Sequence, residues 1–350
     1  MIRTDGKPGG KVKRGEDPGI GPIMHDLSIG RPTGRLAPSP TGGLHLGHAR
    51  TFLVAWLSMR QQRGRVILRT EDLDATRARP EAAEGTIADL RWLGLDWNEG
   101  PDVGGPSAPY VQSQRPEAYR TCLETLIQNE RVYPCTCTRA DIERAASAPH
   151  PEDEGPTYPG TCSRRSVRDA DALGDRLFAW RFRVPSGPVS WRDRILGEIS
   201  IDPARLGGDF VVGRSGGGPS YQLAVVHDDA TMGVSEVIRG DDLVASTPRQ
   251  ILLYRALGWE PPAFGHVPLA IGEDGRRLAK RDGSLKLATL REAGVDPARL
   301  VGRIARSCGW AEGEESGPPS AWIDRFDLNR IPRAPWVVSR EALGELTASN

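Results

Sequence analysis

Gly34-Arg35-Leu36-Ala37-Pro38-Ser39-Pro40-Thr41-Gly42-Gly43-Leu44-His45-Leu46-Gly47-His48 is the stretch that decides how this chain folds. Gly34 to Ala37 is a short apolar run cut off by Pro38 and Pro40, since a proline cannot donate to a sheet ladder. Thr41-Gly42-Gly43 is turn sequence, and Leu46, Leu53, Ala55, Trp56 and Leu57 then recur at helical spacing. The reading is strand, loop, helix. His45 and His48 share one face of that helix start, beside its free N–H groups and the positive end of its dipole. Two imidazoles there can hold nucleotide phosphates and stabilise the charge that builds when an α-phosphate is attacked, or can simply cap the helix. Gly47 leaves the backbone bare, so a flat base can lie against it.

Val66-Ile67-Leu68-Arg69 follows as a β-branched run, with helical patterns near 80–94 and 116–131. β and α alternate, which predicts an α/β fold with a Rossmann-like, doubly wound parallel sheet. Apolar strands are expected again at Asp209–Gly213, Gln222–His227 and Glu236–Arg239, and a helix at Pro248–Leu257. Asp296-Pro297 marks one more helix start, an acidic cap followed by a first-position proline. Fewer than sixty residues follow Pro297.

Between about 132 and 200 the sequence turns rich in Cys, Pro, Gly and charge, which reads as an inserted subdomain. It holds Cys135-Thr136-Cys137 and Tyr158-Pro159-Gly160-Thr161-Cys162. Three thiolates suit one structural, tetrahedral Zn2+, and by general ligand rules His150 between them is the natural fourth donor. Cys122 and Cys308 have no partner pattern and read as core residues.

The chain has 350 residues, 38% hydrophobic and 26% charged, which excludes wholesale disorder and fibrous repeats. Its 46 basic and 46 acidic residues give zero net charge, so any nucleic-acid contact must come from a local patch. The longest apolar stretch, around Phe52–Leu57, is far too short for a membrane span, and no apolar signal core opens the chain. A cytoplasmic protein with no membrane contact is expected. Five cysteines, an odd number, fit a reducing compartment without disulfides. Residues 1–32 read as a disordered tail, either a dispensable extension with Met24 as an alternative start or a weak RNA-binding arm.

Only five of the 46 basic residues are lysine: Lys7, Lys11, Lys13, Lys280 and Lys286. Lys280 lies in a basic, glycine-flanked loop, Arg276-Arg277-Leu278-Ala279-Lys280-Arg281-Asp282-Gly283. A chain that uses arginine for plain positive charge has kept a flexible ammonium there, which suits moving triphosphate oxygens better than a rigid guanidinium fork.

From Arg35 to about Leu290 these residues resemble the class I aminoacyl-tRNA synthetases of the glutamyl branch. The resemblance runs through Arg35 to Gly42, His45 to His48, Arg69-Thr70-Glu71-Asp72-Leu73-Asp74, Val237-Ile238-Arg239-Gly240-Asp241-Asp242 and Thr247-Pro248-Arg249-Gln250, and ends in the Lys280 loop. That loop departs from the family's KMSKS signature, with Arg277, Ala279 and Arg281 replacing three of its residues and Lys280 retained. The resemblance implies ATP with Mg2+ as a substrate, held by His45, Gly47, His48 and Lys280, with His45, His48 and Lys280 catalytic. It also implies a glutamate pocket made by the segment Arg35, Leu36, Ala37, Pro38 and Ser39 with Glu71, Tyr221 and Arg239. Arg35 and Arg239 would hold carboxylate, Glu71 the ammonium, and Ser39 and Tyr221 would supply neutral hydrogen bonds.

The Tyr-x-x-x-Cys ending is similar to one subgroup in which tyrosine completes the zinc site. That implies the ligand set Cys135, Cys137, Tyr158 and Cys162, with His150 or water as the alternative to Tyr158. The short tail after the loop cannot supply the anticodon-binding region of a full glutamyl enzyme. The likeness therefore narrows to the short paralogues, which activate L-glutamate without tRNA and attach it to the queuosine base of tRNA(Asp). Charging of the tRNA CCA end and a silent tRNA-binding module are the alternatives. The expected organisation is a tail at 1–32, a catalytic domain at 33–131 and 201–290, a zinc-braced insertion at 132–200 and a short helical region at 291–350, acting as a monomer.

Overall fold

β1 (Thr33–Leu36), α1 (Leu46–Gln61) and β2 (Arg65–Leu68) form a parallel βαβ unit in which Arg35 stands opposite Ile67. The computed structural model describes residues 30–74, 79–145, 157–278 and 286–339. Arg31–Asn350 forms one compact unit. α2 (Pro80–Trp92) and α3 (Pro116–Gln128) both carry proline in the first turn, where its missing N–H has no helical partner to lose.

The inserted stretch contains β3 (Val132–Cys135), α4 (Arg139–Ala145), β4 (Ala179–Phe182), β5 (Val189–Asp193), β6 (Gly197–Ile201) and β7 (Phe210–Gly213). β3, β4 and β7 make an antiparallel sheet, and β5–β6 is a separate hairpin. Asp209–Gly213 was expected to return to the nucleotide-binding sheet. It pairs with β4 instead, so the antiparallel sheet reaches past residue 200.

α5 (Tyr221–Thr231), β8 (Glu236–Gly240), α6 (Thr247–Ala256) and β9 (Ala263–Val267) follow. Gln222–His227 is helix and not the expected strand. Leu223 to Asp229 are buried at seven consecutive positions, so no polar face interrupts the run, and a short apolar run cannot be assigned by periodicity alone. Ser220 settles it by capping: its Oγ accepts the Leu223 N–H at 3.3 Å.

β8 and β9 are parallel, with Arg239 opposite His266. Ser235 N–H donates to Thr33 O at 2.9 Å, which joins the start of β8 to β1. The two parallel pairs therefore lie side by side in the order β2-β1-β8-β9. Past β9 come β10 (Ala270–Gly272), α7 (Leu287–Glu292), α8 (Pro297–Ser307) and β11 (Trp336–Val338). The C-terminal stretch is thus not helical throughout, because β11 pairs with β10. Asp296 caps α8 through the Ala298 N–H at 2.9 Å.

The largest apolar cluster gathers α1, β1 and β2 with α7, α8 and the residues after them. A second lies around α3, α5, α6 and β8, and a third, small one contains Tyr133, Cys135, Ile142, Tyr158 and Cys162. All five cysteines are free thiols, and Cys122 and Cys308 are buried. Among the described residues, no helix is long and apolar enough to cross a membrane.

Candidate active site

The histidine pair closes the N-terminus of α1 by a reciprocal cap. His45 Nδ1 accepts the Gly47 N–H at 3.1 Å, and His48 Nδ1 accepts the His45 N–H at 3.2 Å. An imidazole nitrogen that accepts carries no proton, so both rings are neutral with the proton on Nε2, free to donate outward. Burial and the neighbouring His45 hold His48 well below the ordinary histidine value; burial, partly offset by Asp242, lowers His45. A Cβ on Gly47 would stand 3.1 Å from the His45 ring, a tight contact that would press on the capping imidazole.

The basic loop is anchored at both ends, the second beside this motif. Gly272 N–H donates to Arg276 O at 2.8 Å on the β10 side, and Leu287 N–H donates to Leu44 O at 2.8 Å on the other. Arg277 Nη1 donates to Asp242 Oδ2 at 3.4 Å. Lys280 itself, like His150, lies outside the described residues.

The ends of β1, β2 and β8 and the first turns of α5 bring Arg35, Glu71, Tyr221 and Arg239 together. Arg35 is 6% exposed; its Nη1 donates to Ile238 O at 3.0 Å, Asp229 lies 3.7 Å from its Nε, and that Nε has no hydrogen-bond partner. Arg239, also buried, donates to His266, Gln250, Thr247 and Leu243. Those four bonds use four of its five N–H groups, all to neutral acceptors, and no carboxylate lies within ion-pair distance among the described residues. Two buried guanidiniums with donors to spare fit an anionic ligand.

Glu71 is buried and accepts from Arg69 Nη2 at 2.8 Å. Burial raises it above the usual carboxylate range, although Arg69 and Arg35 pull it back. Tyr221 is the first residue of α5 and 37% exposed; burial of its remaining surface and the Glu71 charge push its phenol up to about 12, so it is a neutral hydroxyl. The Leu36 side chain is fully buried in the core, and its carbonyl accepts the Arg69 N–H at 2.9 Å. Ala37 is half-buried, Pro38 O accepts the Glu71 N–H at 3.0 Å, and Ser39 is exposed.

Several residues of this cluster had no assigned role in the sequence. Arg69 is fully buried, with Nη1 at 2.6 Å from Asp229 and Nη2 on Glu71. Asp228 accepts from Tyr119 at 2.8 Å and Gln112 at 2.9 Å, and lies 2.9 Å from Arg115 Nε. Arg69 stood inside a quoted motif, and the adjacent acids Asp228-Asp229 within an apolar run were the available signal for a buried ion cluster.

In the third cluster the Sγ atoms of Cys135, Cys137 and Cys162 lie within 4.8 Å of one another, Cys137 and Cys162 at 3.7 Å. Tetrahedral Zn–S bonds of about 2.3 Å place sulfurs roughly 3.8 Å apart. The spacing fits. Tyr158 Oη accepts the Cys162 N–H at 2.8 Å and stands 3.5 Å from Cys135 Sγ. Arg181 lies 3.9 Å over the Tyr158 ring, a cation next to what would be an anionic ligand set.

Residues 33–345 match the family of tRNA synthetases class I (E and Q), catalytic domain. The chain belongs to that family. It is 53% identical over 320 residues to a glutamyl-Q tRNA(Asp) synthetase of Symbiobacterium thermophilum, covering 90% of this chain and 98% of that protein. A glutamate–tRNA ligase of Desulfosudis oleivorans is 41% identical over 318 residues, which cover 90% of this chain and 65% of the ligase. The crystal structure of the glutamate-tRNA synthetase from Elizabethkingia anophelis superposes with a TM-score of 0.78 at 29% identity, covering 90% of this chain and 70% of that one.

Proposed function

We propose that this chain activates L-glutamate with ATP and Mg2+ to glutamyl-adenylate without tRNA, then transfers the glutamyl group to the queuosine base of tRNA(Asp). The observation that carries the first step is the buried pair Arg35 and Arg239, with donors left over, beside the acceptor Glu71. Glutamate brings two carboxylates and one ammonium, the complement of that set. The second step is supported by the 98% coverage of a relative named for glutamyl-Q tRNA(Asp).

In the first reaction a glutamate α-carboxylate oxygen attacks the α-phosphorus and pyrophosphate leaves. The neutral Nε2–H donors of His45 and His48 stabilise charge on the phosphate oxygens, and Lys280 follows the leaving pyrophosphate. In the second, a cyclopentene hydroxyl of queuosine attacks the adenylate carbonyl carbon, AMP leaves and the hydroxyl proton is released. Residues 33–131 and the stretch from α5 to Leu290 serve as the catalytic domain of a cytoplasmic monomer, since β7 belongs to the antiparallel sheet. Cys135, Cys137, Tyr158 and Cys162 hold one Zn2+, which when bound braces residues 132–200.

Labelled glutamate, ATP and tRNA(Asp) with and without queuosine test the reading. Label should enter only the queuosine-containing tRNA, and pyrophosphate exchange should proceed with no tRNA at all. Equal labelling of both tRNAs would assign the chain to CCA charging, and no exchange would make it a silent module.

A further inference from the structure

Arg239 does not hold its own orientation. It stands on β8 directly opposite His266 on β9, and its Nε donates to His266 Nε2 at 3.1 Å. Arginine has only donors, so His266 Nε2 must be the unprotonated nitrogen and Nδ1 must carry the hydrogen. That hydrogen points at Asp193 Oδ2, 2.5 Å away. The other oxygen of Asp193 accepts three backbone N–H groups, from Ile195 at 3.0 Å, Leu196 at 2.9 Å and His266 itself at 3.1 Å. Asp193 and His266 are both buried. Thr247 Oγ1 completes the cradle, 2.9 Å from Arg239 Nη2 and 3.1 Å from His266 Nε2.

We propose that Asp193 and His266 are positioning residues for glutamate binding: Asp193 fixes His266 as its Nδ1–H tautomer, and His266 then accepts from Arg239 so that the remaining Nη1 hydrogen faces the substrate carboxylate. The relay starts in the insertion. Asp193 is the last residue of β5, and the next residue, Arg194, docks its N–H on Phe264 O of β9 at 2.8 Å. The β5–β6 hairpin therefore supplies the anchor for a ligand of the catalytic domain. Burial, with the Arg239 charge added, holds His266 below its ordinary value despite Asp193, so the ring is neutral and has a tautomer to select.

The tautomer decides whether Arg239 is held or repelled. Asp193→Asn keeps an oxygen for the three N–H groups but turns an amide N–H2 toward His266 Nδ1. The ring proton must then move to Nε2, where it meets the Arg239 Nε–H, donor against donor. An arginine displaced by about 1 Å from its productive position can lose on the order of 100-fold in substrate use.

This inference rests on Arg239 being a glutamate ligand, so the experiment separates the two claims. In the unmodified protein, histidine 15N NMR should place His266 in the Nδ1–H form; an Nε2–H or doubly protonated ring overturns the proposal. Asp193→Asn should show the Nε2–H signature and raise KM for glutamate roughly 10- to 100-fold, with KM for ATP within about twofold and the protein still folded at the assay temperature. An unchanged glutamate KM overturns the proposal. Should Asp193→Asn not fold, Thr247→Val, which deletes one cradle hydroxyl, should raise the same KM by roughly 3- to 10-fold and leave ATP alone; no change there also overturns it. Arg239→Lys is the control: if it leaves glutamate KM unaltered, the glutamate reading of Arg239 fails, whereas an impaired Arg239→Lys beside a normal Asp193→Asn removes the relay alone.

Discussion

The rings of His45 and His48 lie with centroids 3.7 Å apart, each with its Nδ1 occupied by an N–H at the head of α1. A proton added to either Nδ1 would break that cap, and a proton on each would put two positive rings in contact. Both effects favour the neutral form, which is the direction burial also gives.

The pair should therefore stay neutral as pH falls through 6.5, the ordinary midpoint for histidine. A lowered pKa means protonation waits for more acid, so pyrophosphate exchange should show no inflection from these rings between about pH 6 and 8. Histidine 15N shifts should report Nε2–H forms for both. A ring of the pair titrating near 6.5 would contradict the cap geometry.

Glu71 gives the opposite sign. Its raised pKa means that it takes a proton at higher pH than an ordinary carboxylate, and a protonated Glu71 can no longer attract an ammonium. KM for glutamate should rise as pH is lowered from 7 toward 5, while KM for ATP stays level. Glu71→Gln should raise KM for glutamate at pH 7 by roughly 10- to 100-fold, since a charged hydrogen bond is lost, and should flatten the acid rise. Parallel acid limbs in both KM values would point away from Glu71.

What the sequence made legible divides by range. His45 to His48 could be read because strand end, turn and helix cap are consecutive, and the α5 region could not, because seven buried residues in a row carry no period. The pocket was legible only through resemblance. Arg35, Glu71, Tyr221 and Arg239 come from four segments, and nothing local in any of them specifies the others. Arg69 and His266 escaped because their roles lie in partners 160 and 73 residues away, Asp229 and Asp193. The reading of Asp209–Gly213 as a Rossmann strand failed for the same reason: an apolar strand does not declare which sheet will take it.

The cysteine cluster makes a prediction about stability more than chemistry. Its own core is five residues with one more partly buried, and none of them is Arg35, Glu71, Tyr221 or Arg239. A core that small needs a brace. Purified protein should contain one zinc per chain, and Cys137→Ser should lose it and lower the melting temperature. Tyr158→Phe should deplete the metal while His150→Ala keeps it; the reverse pattern would move the fourth ligand to His150. Zinc absent from freshly purified protein would end this reading of the cluster.

Lys280 carries the last prediction. One end of its loop is tied beside the histidine motif, where Leu287 N–H donates to Leu44 O and Lys286 forms a β-bridge with His45, and that is where a triphosphate would meet the neutral Nε2–H donors. The chain uses arginine for 41 of its 46 basic residues, so a lysine kept merely for charge should tolerate Lys280→Arg. A lysine that follows pyrophosphate through adenylate formation should not, because the planar fork is bulkier and cannot rotate its donors about a single atom. Losing that transition-state contact should slow activation by roughly 10- to 1000-fold. The loss belongs in kcat for pyrophosphate exchange and not in KM for glutamate, since Arg35, Glu71 and Arg239 are untouched. Lys280→Arg protein working at the parent rate would assign the phosphate contact to a neighbouring arginine such as Arg276 or Arg281.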